Sequence, residues 1–310
     1  MISCTEFIPS YSTLFTFLEN NYGVEEVHRY WEDLFDPKKN GPTHLLEEEL
    51  SKNGIVGCWN YWTHTLNEEA ADFDLYLDEE NGWYLCRMRH CPSKGRLLAI
   101  QHMTPYHDYC SHCDLYRRTV EQYGLKYVYN FTGCGEANCE LLIYDPAKFK
   151  DTLKVSPNTR VMHRSASDNR YFHKDFHLSM NAGVEYVGTR FGIEAVDRYL
   201  REYALAYFAP MIERMKTEGI GPLEEYLKAV YEAEEARDVL KTVREGEGLH
   251  VLISACPAVR HIQASGRTVS RWYDLTTTSV MDAIAQAAGF RFTMLNYDED
   301  TGRAEYTFSI

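Results

Sequence analysis

Apolar positions along the chain change period midway through each half. Leu14, Phe17, Leu18, Val24, Val27 and Trp31 recur at helical spacing, as do Val184, Val187, Val196, Tyr199 and Leu200. Gly23 and Gly192 fall where one such helix should stop and another begin. A further helix is predicted over Leu223 to Val243, with a partner near Trp59 to Leu75. The pattern then turns toward strand. WYLCRMRHC and LHVLISAC are short β-prone runs that end at Cys91-Pro92 and Cys256-Pro257, where proline should close a central strand. A helix is expected over Asp108 to Tyr123 and again over Thr276 to Ala288, each followed by a glycine that can take the left-handed turn after a helix. Two strands close each half: Leu125 to Thr132 with Glu140 to Tyr144, and Phe290 to Tyr297 with Arg303 to Ile310. DEDTG (Asp298 to Gly302) reads as the hairpin turn of the last pair.

The two halves also share letters. YGVEEVHRY (Tyr22 to Tyr30) matches FGIEAVDRY (Phe191 to Tyr199), and NEEA (Asn67 to Ala70) matches AEEA (Ala233 to Ala236). Cys91-Pro92 matches Cys256-Pro257, and the alignment set there runs without a gap to the chain end. Blocks in the same order, with slowly drifting offsets, point to an internal repeat. The expected fold is therefore α+β: two tandem copies of a helical segment followed by β-α-β-β, packed with pseudo-twofold symmetry. The expected organisation is a first repeat over 1–146, a polar linker over 147–170 and a second repeat over 171–310.

Charge and cysteine usage narrow the function classes. A net charge of −14 argues against a nucleic-acid partner, which would need a basic surface. No apolar run approaches the roughly 18 residues that suggest a bilayer span. The first residues, MISCTEFIPSYSTLF, lack a basic segment ahead of an apolar one, so no signal peptide is read there. Nine cysteines without an export signal imply free thiols and a cytoplasmic location. A small-molecule ligand is the expected partner, and a homodimer stays open.

The repeat acts as an internal control on where the chemistry lies. PYHDYCSHCDLY (Pro105 to Tyr116) crowds thiols, imidazoles and carboxylates. Yet in the alignment that carries Cys91 onto Cys256, His107 falls on Trp272, Cys110 on Leu275, His112 on Thr277, Cys113 on Thr278 and Cys139 on Ala304. A cluster required by the fold should appear in both copies, so the first repeat is expected to carry the site. Four readings remain. Cys110 and Cys113 could supply two ligands of a zinc site completed by Cys139, Cys91, Cys134 or His107. They could form a redox dithiol. One could be a nucleophile, with His107 or His112 as base and Asp108 orienting it. Or they could be buried thiols in a polar helix start. His173 and His177, four apart in YFHKDFH, could chelate from one helix face or lie at an ordinary helix start capped by Asp168 or Ser167. A site at the seam would take thiols from one half and imidazoles from the other.

The stretch CPSKGRLLAIQHMTPYHDYCSHCDLY, followed by GCGEANCELLIY, resembles the signature of L-2-amino-thiazoline-4-carboxylic acid hydrolase-like proteins. The resemblance rests on Cys91-Pro92 at a strand end, Cys110 opening a helix, and a glycine-rich turn running from Gly133 to Cys139-Glu140. The same ending is similar to the vinyl-reductase-associated small-molecule-binding domain. The resemblance implies hydrolysis of a C–N bond in a small cyclic amidine-like ring, with a non-enzymatic sensor or carrier of a small molecule or metal as the alternative. A bound zinc would activate water. Without it, Cys110 would attack directly while His107 or His112 exchanged protons. Arg117 or Arg118 would hold the substrate carboxylate, with His173 and His177 in the binding set.

Overall fold

The computed structural model describes residues 1–36 and 43–310. The chain opens with two helices, α1 (Phe7–Tyr22) and α2 (Val24–Leu34), followed by α3 (Thr43–Asn53) and α4 (Ile55–Glu68). Strands β1 (Asp72–Asp78) and β2 (Trp83–His90) lead through α5 (Pro92–Ala99) and α6 (Tyr116–Gln122) to β3 (Lys126–Asn130), β4 (Cys139–Tyr144) and β5 (Arg160–Arg164). Then come α7 (Phe176–Phe191), α8 (Ile193–Tyr207), α9 (Ala209–Glu218) and α10 (Gly221–Ala233). The chain closes with β6 (Leu240–Glu245), β7 (Gly248–Ile253), α11 (Pro257–Ala264), α12 (Leu275–Ala288), β8 (Arg291–Tyr297) and β9 (Ala304–Ser309). The architecture is α+β, with two antiparallel sheets. Among the described residues, no helix is long and apolar enough to cross a membrane.

Apart from β5, which adds an edge to the first sheet, strand order is the same in both. The first runs β3-β4-β2-β1-β5, and the second, read in the same direction, β8-β9-β7-β6. Cross-strand partners repeat as well. Met88 faces Cys139 and Lys126 faces Tyr144. Their counterparts in the second half are also partners, Ile253 with Ala304 and Arg291 with Ser309. Because one residue of slip would turn every side chain to the opposite face, a shared register means a shared inside and outside. The first strand of each sheet departs from this correspondence: Asp74 faces Arg87, whereas Lys241 faces Leu252.

Two expected helices are cut short. The stretches read as continuing to Leu75 and to Val243 end at Glu68 and Ala233, and the remainder forms β1 and β6. The chain leaves each helix through a non-glycine residue in the left-handed region, Ala70 at φ 51° and Glu235 at φ 56°. Neither letter advertises a stop, because left-handed backbone is costly for residues with a Cβ and is read from glycine. By contrast, Gly23 at φ 87° and Gly192 at φ 86° do separate helices where expected. The helix expected from Asp108 is also divided: Tyr109–Leu115 is a 3-10 turn, and only then does α6 begin.

The chain's division differs from the expected one. One compact unit comprises residues 22–173, and the other 1–21 together with 174–310. The segment expected to be a linker contains β5, which pairs antiparallel with β1 from Arg160↔Leu77 to Arg164↔Phe73. In the unit of residues 22–173, α3, α4 and α6 cover the sheet over a core that includes Leu46, Leu50, Trp62, Phe73, Tyr84 and Ile143. In the other unit α12 packs on α8 and β8. There α1 lies against α7 and α8. Phe7 stacks on Phe176 at 4.7 Å between centroids, and the Ser10 and Tyr199 hydroxyls are 2.6 Å apart. The first helix thus shares a core with the second half of the sequence.

Candidate functional site

In the unit of residues 22–173, six cysteines gather at one end of the sheet. Cys86 lies within β2. Cys91 caps α5, its sulfur accepting from the Lys94 N–H at 3.4 Å. Cys110 and Cys113 ride the 3-10 turn, where residues three apart eclipse each other. Cys134 lies in a second such turn, and Cys139 opens β4. The thiols meet mostly in pairs. The Cys110 thiol lies near that of Cys134, and the Cys113 and Cys139 thiols lie near the Tyr129 hydroxyl. Burial pushes the Cys91 thiol up to about 12 and the Cys139 thiol up to about 11. Burial raises the Cys110 and Cys113 thiols too, and neighbouring thiols add to the shift. All four are held as neutral S–H groups.

The zinc set expected from Cys91, Cys110, Cys113 and Cys139 is not gathered around one point among the described residues. Tetrahedral zinc with Zn–S near 2.3 Å places its sulfurs about 3.8 Å apart. Among the described residues, no three of these ligand atoms lie within 4.8 Å of one another.

The expected catalytic set is rearranged in the same way. His107 is exposed and leans on the Tyr106 ring at 4.5 Å, and Asp108 accepts from the Ser111 hydroxyl within its own turn. Asp108 is engaged with Ser111 and His107 with Tyr106, so these contacts do not build the expected chain of nucleophile, base and orienter. His112 does have a thiol partner, and it is Cys113: Sγ lies 3.7 Å from Nε2. His112 Nδ1 meets the Tyr109 carbonyl, which fixes the tautomer, since only an N–H can approach a carbonyl oxygen there. The ring is buried beside Trp31, Phe35 and Tyr109. Burial lowers its pKa to about 4, the Tyr109 contact only partly offsetting this. His112 is therefore a neutral imidazole whose Nε2 lone pair faces a thiol.

Both expected carboxylate anchors are already committed. Arg117 grips Asp114 at 2.6 and 3.2 Å and also donates to the Tyr127 carbonyl. Arg118 pairs with Glu32 at 2.7 Å. Lys94 is half-buried near the Cys110 thiol, and no ion pair engages its ammonium among the described residues.

His173 and His177 do not share a helix face, because α7 starts only at Phe176. Each has its own carboxylate. His173 Nδ1 is 2.5 Å from Glu68, and His177 Nε2 is 3.0 Å from Glu234. The second pair belongs to a cluster that the sequence did not disclose. Cys4, His177 and Glu234 bring ligand atoms within 4.8 Å of one another, and all three are buried. Glu234 Oε1 accepts from the Ser3 hydroxyl and the Cys4 N–H, each at 2.7 Å. Burial alone would raise the Glu234 carboxyl, but His177 and these donors hold it down at about 2. The NEEA/AEEA match aligns Glu68 with Glu234, which was the one available signal. Cys4, more than half the chain ahead of His177, gave none.

No protein-family model, curated protein or solved structure matches this chain, so the resemblance to thiazoline-carboxylate hydrolases stands on its residues alone.

Proposed function

We propose that this protein hydrolyses a C–N bond in a small cyclic amidine-like substrate of the thiazoline-carboxylate kind, with Cys113 as nucleophile and His112 as base. The observation that carries this reading is the 3.7 Å contact between Cys113 Sγ and His112 Nε2, with Nδ1 held by the Tyr109 carbonyl. A nucleophile, its base and a group orienting the base is the arrangement covalent catalysis needs. A neutral thiol beside a neutral imidazole suits general-base attack, in which the proton leaves sulfur only as the new bond forms. Cys113 Sγ adds to the carbon of the protonated amidine, whose ring nitrogen already carries one proton, and the thiol proton passes to Nε2. That proton then goes to the ring nitrogen as the C–N bond breaks. Water attacks the remaining thioester-like carbon, gives a proton to Nε2 and displaces Cys113, which takes the proton back. The Lys94 ammonium, half-buried near the Cys110 thiol, would receive a ring carboxylate.

The test is turnover of a 2-aminothiazoline-carboxylate panel. Cys113→Ser and His112→Gln should each lower kcat by about 10³-fold, the scale of a lost proton-transfer partner. Cys110→Ser should change it by less than about tenfold. Equal loss from Cys110→Ser and Cys113→Ser, or no turnover on any ring, would remove this reading. A second reading, a small-molecule or metal carrier, is favoured by the gathering of six half-buried or buried thiols. It predicts tight retention of a thiophilic ligand without turnover.

A further inference from the structure

We infer that Cys4, His177 and Glu234 form a binding site for a divalent, borderline-soft cation of the zinc type, separate from the thiol-rich end of the other unit. The ligand chemistry is the first ground. One thiol, one imidazole and one carboxylate are the three ligand types zinc takes in proteins. Their approach is the second. His177 Nε2 and Glu234 Oε2 are already 3.0 Å apart, and all three ligand atoms fall within 4.8 Å. Moving the thiol by about an ångström would bring the set to zinc spacing.

Charge is the third ground. Cys4, His177 and Glu234 are 1%, 1% and 3% exposed, so any net charge there is held away from water. A thiolate and a carboxylate would offset one dication, with a neutral imidazole binding it through Nε2. Without metal, the Nε2 edge of His177 points at the Glu234 carboxylate and the Cys4 thiol lies beside both. A cation would take the place of hydrogens at the same centre, expelling the thiol proton. Ser3, bonded to Glu234 Oε1 at 2.7 Å, steadies the carboxylate from outside the triad, as partners of metal-binding carboxylates do. The three ligands come from the turn before α1, the first turn of α7 and the residue after α10. The cation would therefore staple segments far apart in sequence.

The test uses the full chain, reduced and stripped by a chelator, then titrated with Co²⁺ alone and afterwards with Zn²⁺. One equivalent of Co²⁺ should produce sulfur-to-cobalt charge-transfer absorption that Zn²⁺ abolishes. Cys110→Ser should leave this unchanged. Cys4→Ser should remove the absorption, and His177→Gln should weaken Co²⁺ binding at least about 100-fold. No charge-transfer band in the wild type, or a band that survives in Cys4→Ser, overturns the assignment. Should far-UV circular dichroism show Cys4→Ser unfolded, His177→Gln decides alone: unchanged affinity overturns the site, and the expected loss supports it.

Discussion

The two units lay out their sheets alike and use their buried polar groups differently. Both run their four shared strands in the same order, with matching cross-strand partners. In the unit of residues 22–173, Cys139 faces Met88 and opens the thiol-rich end of the sheet. In the other, the corresponding pair is Ala304 with Ile253. The contrast reverses at the carboxylates. Glu68, whose side chain is 36% exposed, meets His173 and, at 3.5 Å, His64. Glu234 is sealed in with an imidazole, a hydroxyl and a thiol. A strand plan thus constrains register and core without dictating which end receives reactive side chains.

The largest way to test that contrast is to delete each carboxylate. Glu234→Ala leaves buried His177, Ser3 and Cys4 donors facing an empty site and should cost about 3–5 kcal/mol, read by urea unfolding. Glu68→Ala removes a solvent-screened partner and should cost less than about 1 kcal/mol. Similar losses would mean that burial does not separate the two.

Acid should distinguish the units next. His112 has its folded pKa depressed to about 4 from 6.5, so the unfolded chain binds the proton first. Its contribution is complete above 6.5 and is lost as pH falls toward 4, about 3 kcal/mol in all. Glu234 is also depressed, to about 2 from 4.5, so its contribution is complete above 4.5 and is lost as pH falls toward 2. Amide exchange measured against pH should therefore show protection around His112 weakening first. The His112→Gln variant should abolish the upper window and leave the lower one.

The smallest effect concerns the two left-handed exits. Glu235 is exposed, and its 3.6 Å ion pair with Lys174 is solvent-screened. Glu235→Gly should therefore relieve strain and stabilise by about 0.5–1 kcal/mol. Ala70 is only 8% exposed, and Ala70→Gly would also forfeit a buried methyl worth about 0.8 kcal/mol, leaving a change near zero. Thermal unfolding of both variants checks this.

Those same exits show what the sequence made legible. Glycine stops, Cys-Pro strand ends and the DEDTG turn are local signals, and helices and strands appear where they mark them. Ala70 and Glu235 end helices through tertiary context, so the letters alone carry the helical reading on into β1 and β6. RVMHR is too short and too exposed to stand out as β5, which acquires its order from pairing with β1. At the candidate site, composition located the crowded region but could not supply distances. Cys113 and His112 are neighbours in the chain, but the contact between Sγ and Nε2 depends on side-chain rotamers that the letters do not carry, and Cys4 found Glu234 only through packing of distant segments.

That α1 belongs with residues 174–310 sets an order of events during synthesis. Residues 22–173 form a continuous stretch and can complete their unit once they have cleared the ribosome. The helix ahead of them emerges earlier yet has to wait for α7 and α8, its apolar face without a home until then. The nascent chain thus carries an early apolar segment whose docking helices are made only later.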